Sequence, residues 1–484
     1  MGLPSFLLPA VLAAVLALSL PTPAHAQGFS VYEQGSCAMG RAETGVAKPC
    51  NDGSALFYNP SAIAGTEGVT LSGGLTVVAA GGDFTRDYTG EETEVQNDPI
   101  PVPHLFATYG INPDLAVGLG VYVPYGLETK WSRDWEGSFE GYDNGLEAIY
   151  IQPTVAYQLT DRIRVGGGPI IAISSVELTQ TLDLSSQVVT NPSTGEPVPD
   201  PGAADGVLRF NRLGIPFHTA FADSKLEATG ATAFGGHFAL SIDVTDRLRF
   251  GTRYMLPMTF EYEGDASFSQ VNTNLVLPEG NPIDPFLPQD SPLKGNPIPV
   301  DGLVEGAFSG NGDLVDQDVE TEIQVPAQFV AGLAFDATER LTLLADYQWS
   351  GWSSFDEIVL SFDRLPDGVR EENYGNTSAF RFGAEYMVSE AFTVRTGYLF
   401  NQAAAPDETV TPLLPENDRN HVTVGVGWQP TDLLEVNVAY QLLNQNDRRG
   451  RTRALREGET AADANSGLYS FGANLFGATV TFRF

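Results

Sequence analysis

Toward the C-terminus, apolar and polar residues take turns with a period of two. Phe476, Ala478, Val480, Phe482 and Phe484 alternate with Gly477, Thr479, Thr481 and Arg483. The same rhythm runs through 434–442, 422–428, 380–388 and, apart from Leu399, 392–400. Successive side chains of an extended chain point to opposite faces, so each run predicts a strand of about ten residues with one greasy and one polar face. A soluble sandwich and a membrane barrel both use such strands: in the first the apolar faces meet each other, in the second they meet lipid.

The connectors separate the two. Short ones fall at 111–114, 160–162, 245–247, 337–339, 388–390 and 430–432; long polar ones at 81–102, 124–147, 176–225, 264–316, 364–377, 402–419 and 445–466. They alternate strictly, which is the asymmetry of an outer-membrane barrel with short periplasmic turns and long external loops. Six turns and seven loops join fourteen strands, from 69–80 to 467–484. An even count puts both ends in the periplasm, and closure leaves no exposed edge. The fold class expected is all-β, a transmembrane antiparallel barrel. Residues 27–68 do not alternate, are rich in Gly and Ala, and sit at the periplasmic end; a plug inside the lumen is their expected home.

Residues 1–26 read as an export signal: an apolar run from Phe6 to Leu20, then Pro21 and the Ala24-His25-Ala26 cleavage pattern. No Lys or Arg precedes the run, which points to a different start codon without changing the expectation of export. No later apolar stretch is long enough for a transmembrane helix. The balance of 61 acidic against 26 basic residues, a net of −35, argues against nucleic-acid partners and against attraction to anionic lipid. The 51 Gly, 28 Phe and 17 Tyr fit strands and turns better than helices. The only cysteines, Cys37 and Cys50, are most simply a local disulfide in an oxidising periplasm, since no further Cys or His lies near enough for a zinc site. The glycines of 118–120 and 166–168 lie in strands with no helix following, so they form no phosphate loop, and no G-x-S-x-G occurs. Neither a cofactor, a metal nor an enzymatic activity is expected.

Several stretches resemble one family. Gly28-Phe29-Ser30, Gly40-Arg41-Ala42 and Ala55-Leu56-Phe57-Tyr58-Asn59-Pro60-Ser61 are similar to the N-terminal hatch of the FadL-type long-chain fatty acid transporters, where Asn-Pro-Ala is the usual ending. Residues 116–122, 348–355 (Gln-Trp-Ser-Gly-Trp-Ser-Ser-Phe) and 414–419 (Leu-Pro-Glu-Asn-Asp-Arg) match in the expected order, so the resemblance runs from about 28 to 484. It implies capture of a hydrophobic ligand by the third and fourth external loops, passage to a lumen pocket above the hatch, and lateral release into the bilayer beside an inward kink in the third strand. A monomer embedded in outer-membrane lipid, inserted by the barrel assembly machinery, is the expected state.

Candidate site residues follow from that plan. The hatch motif is Asn59, Pro60 and Ser61. In the third loop Leu208, Phe210, Leu213, Ile215, Phe217 and Phe221 are unusually apolar, and in the fourth Ile283, Phe286, Leu287, Leu293, Ile298, Val300, Leu303 and Phe308. They would line a capture groove, or else pack the two loops against each other. On the third strand Val117, Leu119, Val121 and Val123 would face lipid, leaving Gly118 and Gly120 inward as the site of the kink and exit. Inward Arg249, Arg253, Arg381, Arg395 and Arg483 could orient a carboxylate headgroup, or pair with acids such as Asp346, Glu385 and Glu435 across the wall. The alternatives to fatty acid uptake are uptake of neutral or aromatic hydrocarbons by the same architecture, and a surface receptor or structural barrel that transports nothing.

Overall fold

The computed structural model describes residues 28–191, 194–455 and 459–484. The signal segment and its Ala24-His25-Ala26 site lie outside the described residues. Fourteen strands cross the wall: β1 (Val69–Arg86), β2 (Ile100–Asn112), β3 (Leu115–Lys130), β4 (Asp143–Thr160), β5 (Ile163–Asp183), β6 (Ala220–Asp243), β7 (Leu248–Met255 continuing as Met258–Gln270), β8 (Gln317–Val325 continuing as Gln328–Asp336), β9 (Leu341–Ser350), β10 (Thr377–Met387), β11 (Phe392–Asn401), β12 (Arg419–Thr431), β13 (Leu434–Gln445) and β14 (Gly467–Arg483). Each is antiparallel to its neighbours, and β14 returns to β1 in continuous register from Thr70↔Arg483 to Arg86↔Gly467. The ring is closed, so the backbone edge that would be ruinous in hydrocarbon is removed.

The outward positions follow the alternation. Leu105, Leu119, Val155, Phe238, Leu333, Phe382, Val424 and Phe476 are exposed in an aqueous sense, which in a membrane means lipid-facing. Phe392 faces Trp428 near the periplasmic turns, and Tyr347 faces Phe380 near the external ends, as expected of two interfacial aromatic belts. On the external side the strands outrun the alternation: β5 continues to Asp183 and β6 starts at Ala220, well inside the expected loop 176–225. Beyond the bilayer both faces of a strand can meet water, so nothing there enforces a greasy face. β7 and β8 are interrupted side by side, at Leu256-Pro257 and Pro326-Ala327, where Met255 pairs with Gln328 and Met258 with Val325. Proline cannot donate to a ladder, and two in register break both strands at one level.

The hatch fills the periplasmic half of the lumen. Its short helices α1 (Ser36–Met39) and α2 (Ala55–Tyr58) are buried throughout. Cys37 and Cys50 are bonded to each other within it. Asp346 of β9 accepts the amides of Gly45 and Val46 at 2.8 and 3.1 Å, and Lys48 reaches Asp336 of β8 at 3.0 Å. The wall makes room with glycine: a Cβ on Gly425 would lie 2.8 Å from Gly40 Cα, and one on Gly251 would overlap Val46 O.

Candidate functional site

The tip of the hatch is where the wall and the lumen meet. Gly28 has φ +59°, and a Cβ there would lie 2.5 Å from the Trp352 ring, so only glycine lets the chain turn beneath that indole. Phe29 then inserts among Trp352, Phe355 and Tyr125, with ring centroids 4.9, 5.8 and 6.0 Å away in edge-to-face arrangements. Trp352 and Phe355 come from the 348–355 motif; that stretch therefore packs the hatch tip. The 414–419 motif also has a structural use. Glu416 is fully buried and its Oε1 accepts the amides of Ala404 and Ala405 at 2.7 and 2.8 Å, while Asp418 accepts that of Ala403 at 2.9 Å. The loop 402–418 is thereby folded down over the lumen.

Above Phe29 these elements enclose an apolar cavity of about 120 Å³. Leu127, Leu146, Val176, Leu226, Ile323 and Ile358 line it, with Leu413 and Leu414 of the folded loop above. Its polar margin carries Arg370, Glu372 and Tyr374, from the external hairpin Glu357–Phe362 and Gly368–Glu371 and the residues just after it. Arg370 donates to Glu140 O at 3.0 Å and to Gln180. Burial pushes the Glu372 carboxyl up to about 8, against the opposing pull of Arg370 and Arg451.

A second cavity, about 670 Å³, pierces the wall between β2 and β3. Its lining includes lumen-facing Val78 and Val102 as well as outward-facing Leu75, Pro101 and Pro103. β3 pairs with β2 only as far as His104↔Tyr122, and its register with β4 shifts between Tyr122 and Tyr125. The strand thus bulges at Val123-Pro124. Gly118 and Gly120, the expected kink positions, keep regular register with Thr108 and Phe106 on one side and Thr154 and Gln152 on the other. Gly118 instead admits the hatch, since a Cβ there would lie 2.6 Å from Leu56. Val123, expected to face lipid, is buried because the bulge reverses which parity points outward.

The lips of this gap differ. Ala107 turns its carbonyl toward β3, 3.2 Å from where a Gly118 Cβ would lie, so the odd-numbered residues of β2 present their backbone edge to β3. Pro101 and Pro103 are on that edge and have no N–H to leave unpaired. On the β3 lip the hatch tip supplies the partners. Gly126 N–H donates to Phe29 O at 3.0 Å, Val31 N–H to Pro124 O at 2.8 Å, and the Gln34 amide to Val123 O at 2.7 Å. Leu127, Gly145, Leu146, Val176, Glu177 and Glu227 line both cavities, so the interior one adjoins the gap.

The remaining expected residues fall elsewhere. The Asn59 side chain caps Ser61 (N–H 3.0 Å, Oγ 2.6 Å) and donates to Ser241 of β6 at 3.0 Å, so Asn59-Pro60-Ser61 docks on β5 and β6 beside Gly166. Leu208, Phe210, Ile215, Phe221 and Leu287 are buried in one core shared by the third and fourth loops, with Leu213, Phe286 and Phe308 on its margin. Phe217 is exposed and stacks on His218, which stacks on Phe139. Of the arginines, Arg395 pairs with Glu385 at 2.7 Å, Arg249 with Asp336 at 3.0 Å, and Arg483 with Glu435. Arg253 and Arg381 lie over the hatch rings of Phe57 and Tyr32, at 4.8 and 4.7 Å. None of these five lines the apolar cavity. Arg370 and Glu372 do, and sequence reasoning passed over them because they lie in a loop with no alternation. Pro101, Pro103 and Pro124, three prolines in strands, were the available signal for the gap.

Residues 17–484 match the model of the family described as outer membrane protein transport protein (OMPP1/FadL/TodX). A putative outer membrane protein of Neisseria meningitidis serogroup B is 23% identical, over 95% of each chain. A long-chain fatty acid transport protein of Escherichia coli O6:H1 is 21% identical, over 97% of each. Among solved structures, a Pseudomonas aeruginosa FadL homologue superposes with a TM-score of 0.75 at 20% identity, covering 95% of this chain and all of that one. The Pseudomonas putida toluene transporter TodX gives 0.64 at 18%, covering 93% and 98%. The chain is an outer-membrane β-barrel that belongs to the OMPP1/FadL/TodX family of transport proteins.

Proposed function

We propose that this protein is a passive outer-membrane uptake channel for hydrophobic small molecules, long-chain fatty acids or compounds of similar character, released sideways into the bilayer. The observation that carries the reading is the apolar cavity adjoining a gap in the wall, above a hatch that blocks the lumen toward the periplasm. Apolar surface resists contact with water at about 25 cal/mol per Å², so a covered cavity opening directly to lipid suits such a ligand where an aqueous pore would not. Relatives named for fatty acid and for toluene transport support the same reading. A structural barrel needs neither hatch nor gap. Capture falls to the external loops, which expose Phe217 in a stack with His218 and Phe139, while most of their expected groove residues are packed into a shared core. An engineered cavity of about 150 Å³ lined by Leu, Ile and Phe stays dry and holds benzene. At about 120 Å³ the cavity here therefore takes a ring or a short chain segment, and a longer ligand must extend into the gap. The test is mass spectrometry of the compound extracted with the purified protein, paired with uptake by cells that express it. An apolar ligand and an uptake rate above control cells are expected; a hydrophilic ligand or no uptake would refute the reading.

A further inference from the structure

The gap in the wall is rimmed by charge of one sign. Glu128, Glu147, Glu177 and Glu227 line it, and no basic residue does among the described residues. Lys130 reaches Glu128 at 3.0 Å, and Lys225 is shared by Glu177 at 3.2 Å and Glu227 at 2.8 Å. Glu147 is in no ion pair among the described residues, so two ammonium groups face four carboxylates. Sheet register extends the excess: Glu128 pairs with Gly145, Gly145 with Glu177, Glu177 with Glu227, Glu227 with Asp265, and Asp265 with Asp318. Glu147 stands two residues beyond the lipid-facing Ile149, which places the rim at the outer edge of the apolar band. Glu177 and Glu227, neighbours across β5 and β6, also line the interior cavity, so a molecule moving from one space to the other passes beside them. At the far margin of that cavity stands Arg370, the one basic residue of its lining among the described residues, which would hold an anion back.

From this arrangement we infer that the lateral release step selects uncharged hydrophobic molecules, and that Glu147, Glu177 and Glu227 are its specificity-determining residues. The inference rests on the uptake reading above and names the substrate class of that site. A carboxylate leaving the cavity moves away from a guanidinium and toward a group of carboxylates that outnumber their lysine partners, and is repelled by them. A neutral molecule of equal length meets neither effect.

The test compares a chain-matched pair, radiolabelled hexadecanoate and hexadecan-1-ol, as initial uptake rates above those of control cells at pH 8, where the acid is ionised. Two variants accompany the unaltered protein: Glu177→Gln/Glu227→Gln, which discharges the passage, and Glu147→Gln, which breaks no ion pair and so covers the case where the double variant fails to insert. Heat-modifiable migration of the barrel reports insertion. The alcohol should outpace the acid in the unaltered protein, and the acid-to-alcohol ratio should rise about tenfold in the double variant and about threefold in Glu147→Gln. An acid that already outpaces the alcohol, or a ratio that neither variant moves, overturns the inference. Uptake of neither compound above control would instead refute the uptake reading itself.

Discussion

Phe29→Ala should open the hatch tip without loosening the barrel. The ring is 6% exposed and its neighbours Trp352, Phe355 and Tyr125 all belong to the wall or an external loop, so it is the apolar anchor of residues 29–31. Truncating a buried Phe costs about 3–5 kcal/mol. The low end applies here, because the ring borders a cavity and lacks neighbours on that side. The main-chain bonds from Gly126 to Phe29 O and from Val31 to Pro124 O remain available in the variant, so the whole loss falls on the equilibrium between docked and detached tip. About 3 kcal/mol at 1.4 kcal/mol per decade is about a hundredfold rise in the detached population. Amide hydrogen exchange in detergent at fixed pH reads this directly. The amides of Val31 and Gly126 should exchange about a hundredfold faster, while Gly110, whose amide donates to Gly68 O at the other end of the hatch, should not change. Unchanged rates at Val31 and Gly126 would show that Phe29 does not anchor the tip. Equal acceleration at Gly110 would show that the variant loosens the whole barrel and would refute the claim of a local latch.

Glu372 lies outside the membrane-spanning strands with its carboxyl raised to about 8 from an ordinary value near 4.5, so the folded hairpin binds more protons than the unfolded chain between those limits. Its stabilising contribution is complete below pH 4.5 and is lost as pH rises through 8; protection of the Glu372 and Asn373 amides, both donated to Asp356 O, should fall from pH 6 to pH 9 relative to Glu372→Gln at each pH, and parallel profiles would refute the linkage. The Cys37–Cys50 bond closes a loop of 13 residues' separation, worth about 3 kcal/mol by chain entropy. In Cys37→Ser/Cys50→Ser the amides of Arg41 and Glu43 should exchange faster while those of the barrel do not, and no change at Arg41 and Glu43 would show that wall contacts alone hold the hatch.

What could be read from the sequence follows from where physics imposes a pattern. Lipid on one side of the wall demands alternation, and runs such as Val422–Val424–Val426–Trp428 therefore reported strands, their faces and the count of fourteen. Where lipid ends, as in β5 beyond Ile173, the demand ends and so did the legibility of strand boundaries. The apolar residues of the third and fourth loops were visible as anomalies, but a chain cannot say whether Leu208 and Leu287 face a ligand or each other; here they share one core. The cavity was hidden for a different reason. Phe29, Leu127, Leu226, Ile323, Ile358 and Leu413 come from six distant segments, and only closure of the ring brings them together. Gly118 and Gly120 drew attention because inward glycine permits a bend, yet glycine there serves close approach, of Leu56 to Gly118 in particular.

The gap shows how a barrel can carry an opening in a membrane at all. Backbone groups facing hydrocarbon must be paired, and a break between two strands exposes both edges. On β2 the problem is reduced at its source, because Pro101 and Pro103 carry no N–H. On β3 the hatch pairs Val123 O, Pro124 O and Gly126 N–H through Gln34, Val31 and Phe29. The tip of the plug thus stands in for the missing stretch of strand. Each such group left dry costs about 1–3 kcal/mol, so withdrawing the tip completely would cost several kcal/mol. A hydrophobic ligand cannot replace those hydrogen bonds, but it can replace the Phe29 ring, whose neighbour Phe355 borders the cavity. Ligand and hatch tip therefore compete for apolar contacts while the three hydrogen bonds hold the β3 lip.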